Sequence, residues 1–175
     1  YWLPWIAGHD PMAVFALAAI TTLVVPAMVM AATDTDRDGL SNDWERTYSL
    51  TNPARADSDG DGQGDAYEDP DRDTLTNRME FLAGLHPRRA DTDRDGIRDD
   101  REDSDRDGLR TRFEFLAGTS PKRVDSDGNG KADGAENPDR DGITNKSEQT
   151  YGTNPRLFDT DRDGWSDGEE IKART

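Results

Sequence analysis

The sequence predicts a fold with little regular secondary structure, short helices only. It is laid out as an elongated tandem repeat array held together by bound cations and preceded by one N-terminal hydrophobic helix. Three observations predict it. The chain of 175 residues is only 31% hydrophobic and 34% charged, with a formal net charge of −16. Its apolar residues are concentrated, 24 of them in residues 1–32 and 31 in the remaining 143. From residue 33 onward, acidic stretches recur at a fixed spacing.

The long acidic part is too poor in apolar side chains to offset its ordering entropy by burial alone, so something else must hold it. Its 38 acidic against 22 basic side chains repel phosphate, which excludes nucleic acid as a partner. Cysteine is absent, so disulfides and thiolate metal sites are excluded. Histidine is limited to His9 and His86, which removes the usual zinc, iron and copper ligand sets and most general-base chemistry. No nucleophile–base set or phosphate loop can be assembled, and the chain is expected not to be an enzyme.

Residues 1–32 form the first region. Ala13 to Ala32 carry no charge over 20 residues, enough for one bilayer crossing. Trp2 and Trp5 precede the run as interfacial aromatics do. The expectation is a retained transmembrane or assembly helix, in contact with membrane or with other hydrophobic helices. The alternative is an uncleaved secretory signal, with Val29, Met30 and Ala31 at a small-residue cleavage site. Both place the acidic part outside the cytoplasm, at the cell surface, in the periplasm or in the extracellular space.

Residues 33–175 form the second region. Stretches starting at Asp57, Asp91, Asp125 and Asp159 lie 34 residues apart, as do those starting at Asp69, Asp103 and Asn137, while Asp34 precedes Asp69 by 35. A period of this size marks an array whose units lean on their neighbours. Each period holds two 12-residue loops back to back and a connector of about ten residues.

The eight loops align position by position. Position 1 is Asp34, Asp57, Asp69, Asp91, Asp103, Asp125, Asn137 or Asp159. Position 3 is Asp36, Asp59, Asp71, Asp93, Asp105, Asp127, Asp139 or Asp161. Position 5 is Asp38, Asp61, Asp73, Asp95, Asp107, Asn129, Asp141 or Asp163. Position 6 is glycine except for Thr74. Position 7 is Leu40, Gln63, Leu75, Ile97, Leu109, Lys131, Ile143 or Trp165. Position 9 is Asn42, Asp65, Asn77, Asp99, Thr111, Asp133, Asn145 or Asp167. Position 12 is Glu45, Glu68, Glu80, Glu102, Glu114, Glu136, Glu148 or Glu170.

This spacing is that of a calcium loop. Ca2+ takes six to eight oxygens at about 2.3–2.6 Å: carboxylates or amides at 1, 3 and 5, the backbone carbonyl at 7, position 9 directly or through water, and a bidentate Glu at 12. These positions take up 34 of the 38 acidic residues and leave out only Asp10, Asp43, Asp100 and Glu169. A solvated acidic tail does not predict such registry. Up to eight Ca2+ ions are expected, and their summed charge would cancel the formal −16. Pro70 and Pro138 at position 2 resemble lanthanide-selective loops, the other ion such a site could take.

The connectors read as short helices. One runs from Thr76 to Ala83 and stops at Gly84 with Pro87 beyond; its counterparts stop at Gly118 and Gly152, followed by Pro121 and Pro155. Their apolar residues, among them Trp44, Phe81, Phe113 and Tyr151, are too few for a shared core and are expected to form one small cluster per unit. Position 7 hints at a 68-residue superperiod, with Ile97 and Trp165 where Gln63 and Lys131 alternate.

The run Asp91-Thr92-Asp93-Arg94-Asp95-Gly96 and the connectors Gly118-Thr119-Ser120-Pro121 and Gly152-Thr153-Asn154-Pro155 resemble the bacterial, cysteine-free form of the thrombospondin type 3 repeat. The resemblance extends over about residues 34–170. It implies a chain wrapped around a row of calcium ions in place of a hydrophobic core, in a secreted or cell-surface protein that serves as a rigid spacer or adhesion element. The expected function is therefore an exported, membrane-tethered or assembled structural stalk. Alternatives are an accessory single-helix subunit capping a larger membrane complex, and a filament-forming subunit. The protein partner, or self-assembly in its place, is left open.

Overall fold

The computed structural model describes residues 33–173, which fall within one unit, Ala31–Thr175. The hydrophobic helix expected over residues 1–32 lies outside the described residues. Among the described residues no helix is long and apolar enough to cross a membrane. The elements are short helices and helical turns, and no strand occurs among the described residues.

Five α-helical segments follow one another: α1 (Asn42–Trp44), α2 (Asn77–Ala83), α3 (Thr111–Ala117), α4 (Asn145–Tyr151) and α5 (Asp167–Ala173). Between them lie single 3-10 turns at Asp65–Tyr67, Asp99–Arg101 and Asp133–Ala135. Each helix begins at position 9 of a loop, and the position-8 side chain caps every one of them but α3. The Ser41 hydroxyl accepts from the Trp44 amide, Thr76 from Met79 and Thr144 from Ser147, satisfying backbone donors that the first turn cannot pair. Arg110 supplies no side-chain cap to α3; its own amide donates instead to Gln149 Oε1 at 2.7 Å.

Helices α2, α3 and α4 stop where the glycines predict. Gly84, Gly118 and Gly152 take left-handed φ values of 75°, 83° and 81°, a conformation that costs glycine no Cβ clash. The first unit departs from this pattern. Its helix widens into a π turn over Glu45–Ser49, and Leu50 occupies the left-handed cap at φ 64°.

The interior is polar. Among the described residues, six buried hydrophobic side chains face seventeen buried polar or charged ones, so apolar packing cannot be the main cohesive term. Leu40, Trp44 and Ala66 form one small cluster with Phe81 against it. The Trp44 and Phe81 rings meet edge to face at 5.5 Å, a favourable aromatic geometry. This cluster joins two successive units where the sequence predicted one cluster per unit. Leu82, Leu116 and Tyr151 are exposed. At position 7, Leu40, Leu75 and Leu109 are fully buried, whereas Ile97 and Trp165 lie on the surface.

Candidate metal centres

Each loop is closed by one backbone hydrogen bond, from the position-9 amide to the carbonyl just before position 1. Asn42 donates to Thr33, Asp65 to Ala56, Asn77 to Glu68 and Asp99 to Ala90. Thr111 donates to Glu102, Asp133 to Val124, Asn145 to Glu136 and Asp167 to Phe158. Inside the loop the acidic side chains accept from the backbone. Position 1 accepts from the amide at 6, as Asp34 does from Gly39 at 3.1 Å and Asp125 from Gly130 at 2.8 Å. Position 3 accepts from the amide at 5, and position 5 from the amide at 7, as in Asp105–Asp107 at 3.1 Å and Asp107–Leu109 at 2.7 Å. These bonds use up one face of each carboxylate and draw the three side chains together. Asp34, Asp36 and Asp38 offer oxygens within 4.8 Å of one another, as do Asp57, Asp59 and Asp61, Asp69, Asp71 and Asp73, and Asp91, Asp93 and Asp95.

The turn demands left-handed backbone at positions 4 and 6. At position 6, glycines such as Gly39 and Gly108 both sit at φ 96°, and Thr74 is forced to φ 81°. A β-branched residue there is a strained exception.

The loops fall into two sets by burial. In the inner loops, starting at Asp34, Asp69, Asp103 and Asn137, Glu45, Glu80, Glu114 and Glu148 are all 0% exposed. In the outer loops, starting at Asp57, Asp91, Asp125 and Asp159, positions 3 and 5 are exposed, from Asp59 and Asp61 through to Asp161 and Asp163. Glu68, Glu102 and Glu136 are half-buried.

Position 9 also behaves differently in the two sets. In the outer loops it is an aspartate that accepts twice from the hydroxyl residue at position 2 of its own loop. Asp65 takes the Ser58 amide at 2.8 Å and hydroxyl at 2.7 Å; Asp99 takes Thr92, Asp133 takes Ser126 and Asp167 takes Thr160. In the inner loops Asn77 donates to the Asp65 carbonyl, Asn145 to the Asp133 carbonyl and Thr111 to the Glu102 carbonyl. Pro70 and Pro138 fit this arrangement, since a position 2 without an amide hydrogen cannot make the outer-loop bond. The first inner loop is mixed, with Asn42 Oδ1 accepting from the Thr35 amide.

The buried carboxylates of the inner loops lack partners. Both oxygens of Glu80, Glu114 and Glu148, and Oε2 of Glu45, are buried without a hydrogen-bond donor. So are one oxygen each of Asp36, Asp38, Asp71, Asp73, Asp105, Asp139 and Asp141, and the amide oxygens of Asn77 and Asn145. Among the described residues, the ion pairs of Arg46 with Asp43 at 3.4 Å and of Arg98 and Arg101 with Asp100 at 3.1 and 3.9 Å fall outside the ligand positions.

The electrostatic result is a set of carboxyls held far above their ordinary range. Burial, then the neighbouring Asp71, Asp73 and Asp99, push Glu80 up to about 9. Burial and adjacent aspartates push Glu114 and Glu148 up to about 8 and Glu45 to about 7. Burial lifts Asp73 to about 7 against the opposing Leu75 amide. In the outer loops Glu102 reaches about 7, while the Gly130 amide holds Asp125 below its usual value.

Unpaired ionised oxygens in a protein interior cost several kcal/mol each unless a cation or a proton meets them. The donor set is all oxygen, carboxylate and amide with no sulfur or imidazole, which suits a hard divalent cation of the calcium type. The residues therefore fit the ion that their spacing implies, and they fit it best in the inner loops. Buried orphan oxygens are the physical test, and among the loop carboxylates it is the inner ones that carry them. The sequence marks the same two sets at position 7, which is apolar in every inner loop (Leu40, Leu75, Leu109, Ile143) and mixed in the outer ones (Gln63, Ile97, Lys131, Trp165). A further signal, seen only with the structure, lies in the pairing of position 2 with position 9: Ser or Thr with Asp in the outer loops, Pro with Asn in two of the inner ones.

The family model for the bacterial TSP3 repeat matches residues 34–56, 139–155 and 159–175, so the chain carries repeats of this family at those three places. The matched segments include both kinds of loop, and the segments between them repeat the same closures and side-chain bonds. No curated protein and no solved structure matches the chain.

Proposed function

We propose that this chain, with its bacterial TSP3 repeats, is a non-catalytic calcium-binding structural protein of the cell exterior. Its repeat region folds around Ca2+ and serves as a stiff spacer or adhesion element tethered or assembled through residues 1–32. The observation that carries the calcium reading is the recurrence, in register, of buried inner-loop carboxylate oxygens with no protein partner. The likeness to the bacterial TSP3 repeat supports the spacer role and the exterior location.

In this reading each inner loop would hold its ion with the side-chain oxygens at 1, 3 and 5, the carbonyl at 7 and the Glu at 12, as in Asp69, Asp71, Asp73, Leu75 and Glu80; in the loop at 137–148 an amide, Asn137, takes position 1. When bound, the ion supplies the positive charge that those buried groups lack. The chain's own residues do the rest. Backbone amides pin one oxygen of each aspartate, a position-8 cap such as Thr76 starts the helix, and the helix presents the Glu in its first turn. Extracellular calcium modules bind at about 10⁻⁴–10⁻³ M. A site held at 100 times its dissociation constant adds roughly 2.7 kcal/mol, so weak sites acting together suffice to fold an array where calcium is millimolar.

Circular dichroism and small-angle scattering of the full chain, with calcium and then with chelator, test the proposal. The expected result is loss of the short helices and an expanded chain on chelation, restored by calcium but not by magnesium at the same concentration, because Mg2+ demands six ligands in a tight octahedron and keeps its waters. A fold indifferent to chelator would refute it.

A further inference from the structure

The outer-loop aspartate at position 9 stands between two loops. Asp65 belongs to the loop that starts at Asp57, yet its carboxylate lies with Asp38 and Glu45 of the preceding loop, all three offering oxygens within 4.8 Å of one another. Asp65 and Glu45 are both 0% exposed, and Glu45 Oε2 within this group has no hydrogen-bond partner. The corresponding aspartates of the later outer loops also reach the preceding inner loop electrostatically. Asp99 lies within charge–charge range of Asp73 and Glu80, Asp133 of Asp107 and Glu114, and Asp167 of Glu148.

The backbone holds these neighbours in place. Position 10 packs on the preceding inner loop in three of the outer loops: Ala66 is buried against Leu40 and Trp44, the Gly134 amide donates to Asp107 Oδ2 at 2.9 Å, and Gly168 lies against the Asp141 carbonyl. A Cβ at Gly134 would meet the Asp107 carbonyl oxygen at 2.6 Å, so the approach is close to its limit.

We infer that each inner metal centre is completed by an aspartate from the next loop along the chain: Asp65 for the centre at 34–45, Asp99 for 69–80, Asp133 for 103–114 and Asp167 for 137–148. Each aspartate keeps its bonds to position 2 of its own loop, as Asp65 does with Ser58, and offers the neighbouring centre its remaining lone pairs. A cation at an inner centre therefore ties two consecutive loops together, and ion binding orders the pair as one unit. This inference rests on the calcium reading above and adds to it the identity of the linking residue.

The test is the Asp65→Asn variant of the 15N-labelled full chain, titrated with Ca2+ and followed at the position-6 glycine amides. Gly39 and Gly62 donate to the position-1 aspartates of their own loops, each at 3.1 Å, so each amide reports its own loop. Asparagine keeps an oxygen for the Ser58 amide and removes the negative charge. The expected result is a rise of about tenfold or more in the calcium concentration at which Gly39 responds, with Gly62 moving less than about twofold, since loss of a supporting polar group at a metal centre typically costs 10–100-fold in affinity. Ser58→Ala, which removes the hydroxyl bond to Asp65 but keeps its carboxylate, is expected to leave Gly39 within about twofold. A shift of Gly62 without Gly39, no shift of either, or equal shifts of Gly39 in both variants would overturn the inference. If neither glycine responds to calcium in the unaltered chain, the calcium reading itself fails, a result distinct from all of these.

Discussion

The inner and outer loops share one motif and one backbone closure, yet their carboxylates meet opposite environments. Glu80 is sealed from solvent with both oxygens unpartnered. Glu68, which immediately precedes the same inner loop, is half-buried. The difference begins at position 9. In inner loops it opens an α-helix that carries the position-12 Glu in its first turn. In three of the outer loops it opens a single 3-10 turn, and the Glu is the residue that ends that turn. A ligand pattern thus fixes where oxygens stand along the chain, while the packing around each loop decides how much water they keep: the last outer loop also opens an α-helix, α5, yet Glu170 in its first turn is only half-buried. Burial is what turns an acidic loop into a structural need for a cation.

The largest expected effect breaks the comparison at position 12. Glu80→Gln in calcium should destabilise the fold by about 3 kcal/mol, as removal of one partner from a buried ionic group does. In chelator the sign should reverse, because the variant no longer buries an unmatched carboxylate. Glu68→Gln should change stability by less than about 1 kcal/mol in either condition, in line with solvent-screened charges. Thermal melts of the full chain in calcium and residual helix content in chelator check the four cases. Equal losses for the two glutamates would erase the distinction between the sets.

Acidity should next set apart three of the inner loops, since inner-loop Glu45 and outer-loop Glu102 are both raised to about 7. The position-12 carboxyls of the inner loops have folded-state values raised above their ordinary value near 4.5, to about 9 for Glu80 and about 8 for Glu114 and Glu148. A raised carboxyl binds its proton more tightly in the folded state, so it favours folding most below its unfolded value and loses that contribution as pH rises through the folded value. Without metal, the inner-loop helices should be best ordered near pH 4.5 and weaken progressively towards pH 9. The contribution of Glu102, raised to about 7, should be gone by roughly one unit above that value. Calcium binding releases these protons, so its apparent affinity should climb across the same interval. Helix content measured by circular dichroism from pH 4.5 to 9, with chelator and with calcium, should give slopes of opposite sign.

Thr74→Gly sharpens the comparison within one inner loop. Thr74 holds φ 81° where the other loops place glycine, and such strain costs of order 1–3 kcal/mol. Relief should raise stability in calcium by about 1 kcal/mol after the extra chain entropy of glycine is subtracted. A melting shift in the opposite direction would mean that the threonine side chain has a role of its own.

Much of this arrangement was legible before any coordinates. The ion's geometry dictates oxygens at fixed spacings, so the loop boundaries could be placed from Asp34 to Glu170 by counting. Helix ends were legible at Gly84, Gly118 and Gly152 because a left-handed cap favours one residue type. Leu50 was not, since nothing local marks a leucine as a left-handed cap. The contact of Trp44 with Phe81 and the placement of Asp65 beside Glu45 were also hidden. Both join residues from different loops, and a periodic sequence states what each unit contains without stating which face meets the next. The Ser58–Asp65 and Pro70–Asn77 pairings hold the missing information, but they become a signal only once the side chains are seen to bond across the loop.

The smallest expected effect concerns position 5, where the chain itself has already made one substitution. Asn129 stands in an outer loop at the place of an aspartate, exposed, with its side-chain amide donating to Glu136 at 2.6 Å and to Asp127 at 3.1 Å. An amide at this position therefore leaves the outer loop closed. Asp61→Asn should imitate it and change stability by less than about 0.5 kcal/mol, the scale of an exposed charge. Asp73→Asn, at the same position of an inner loop, removes a fully buried carboxylate whose Oδ1 accepts from the Leu75 amide at 2.8 Å and whose Oδ2 is unpartnered. It should weaken calcium binding at its own loop, read at the Thr74 amide, far more than Asp61→Asn does at Gly62. If the two substitutions matched, exposure would not be what distinguishes the loops, and the ions would have to be held with equal strength at the surface and in the interior.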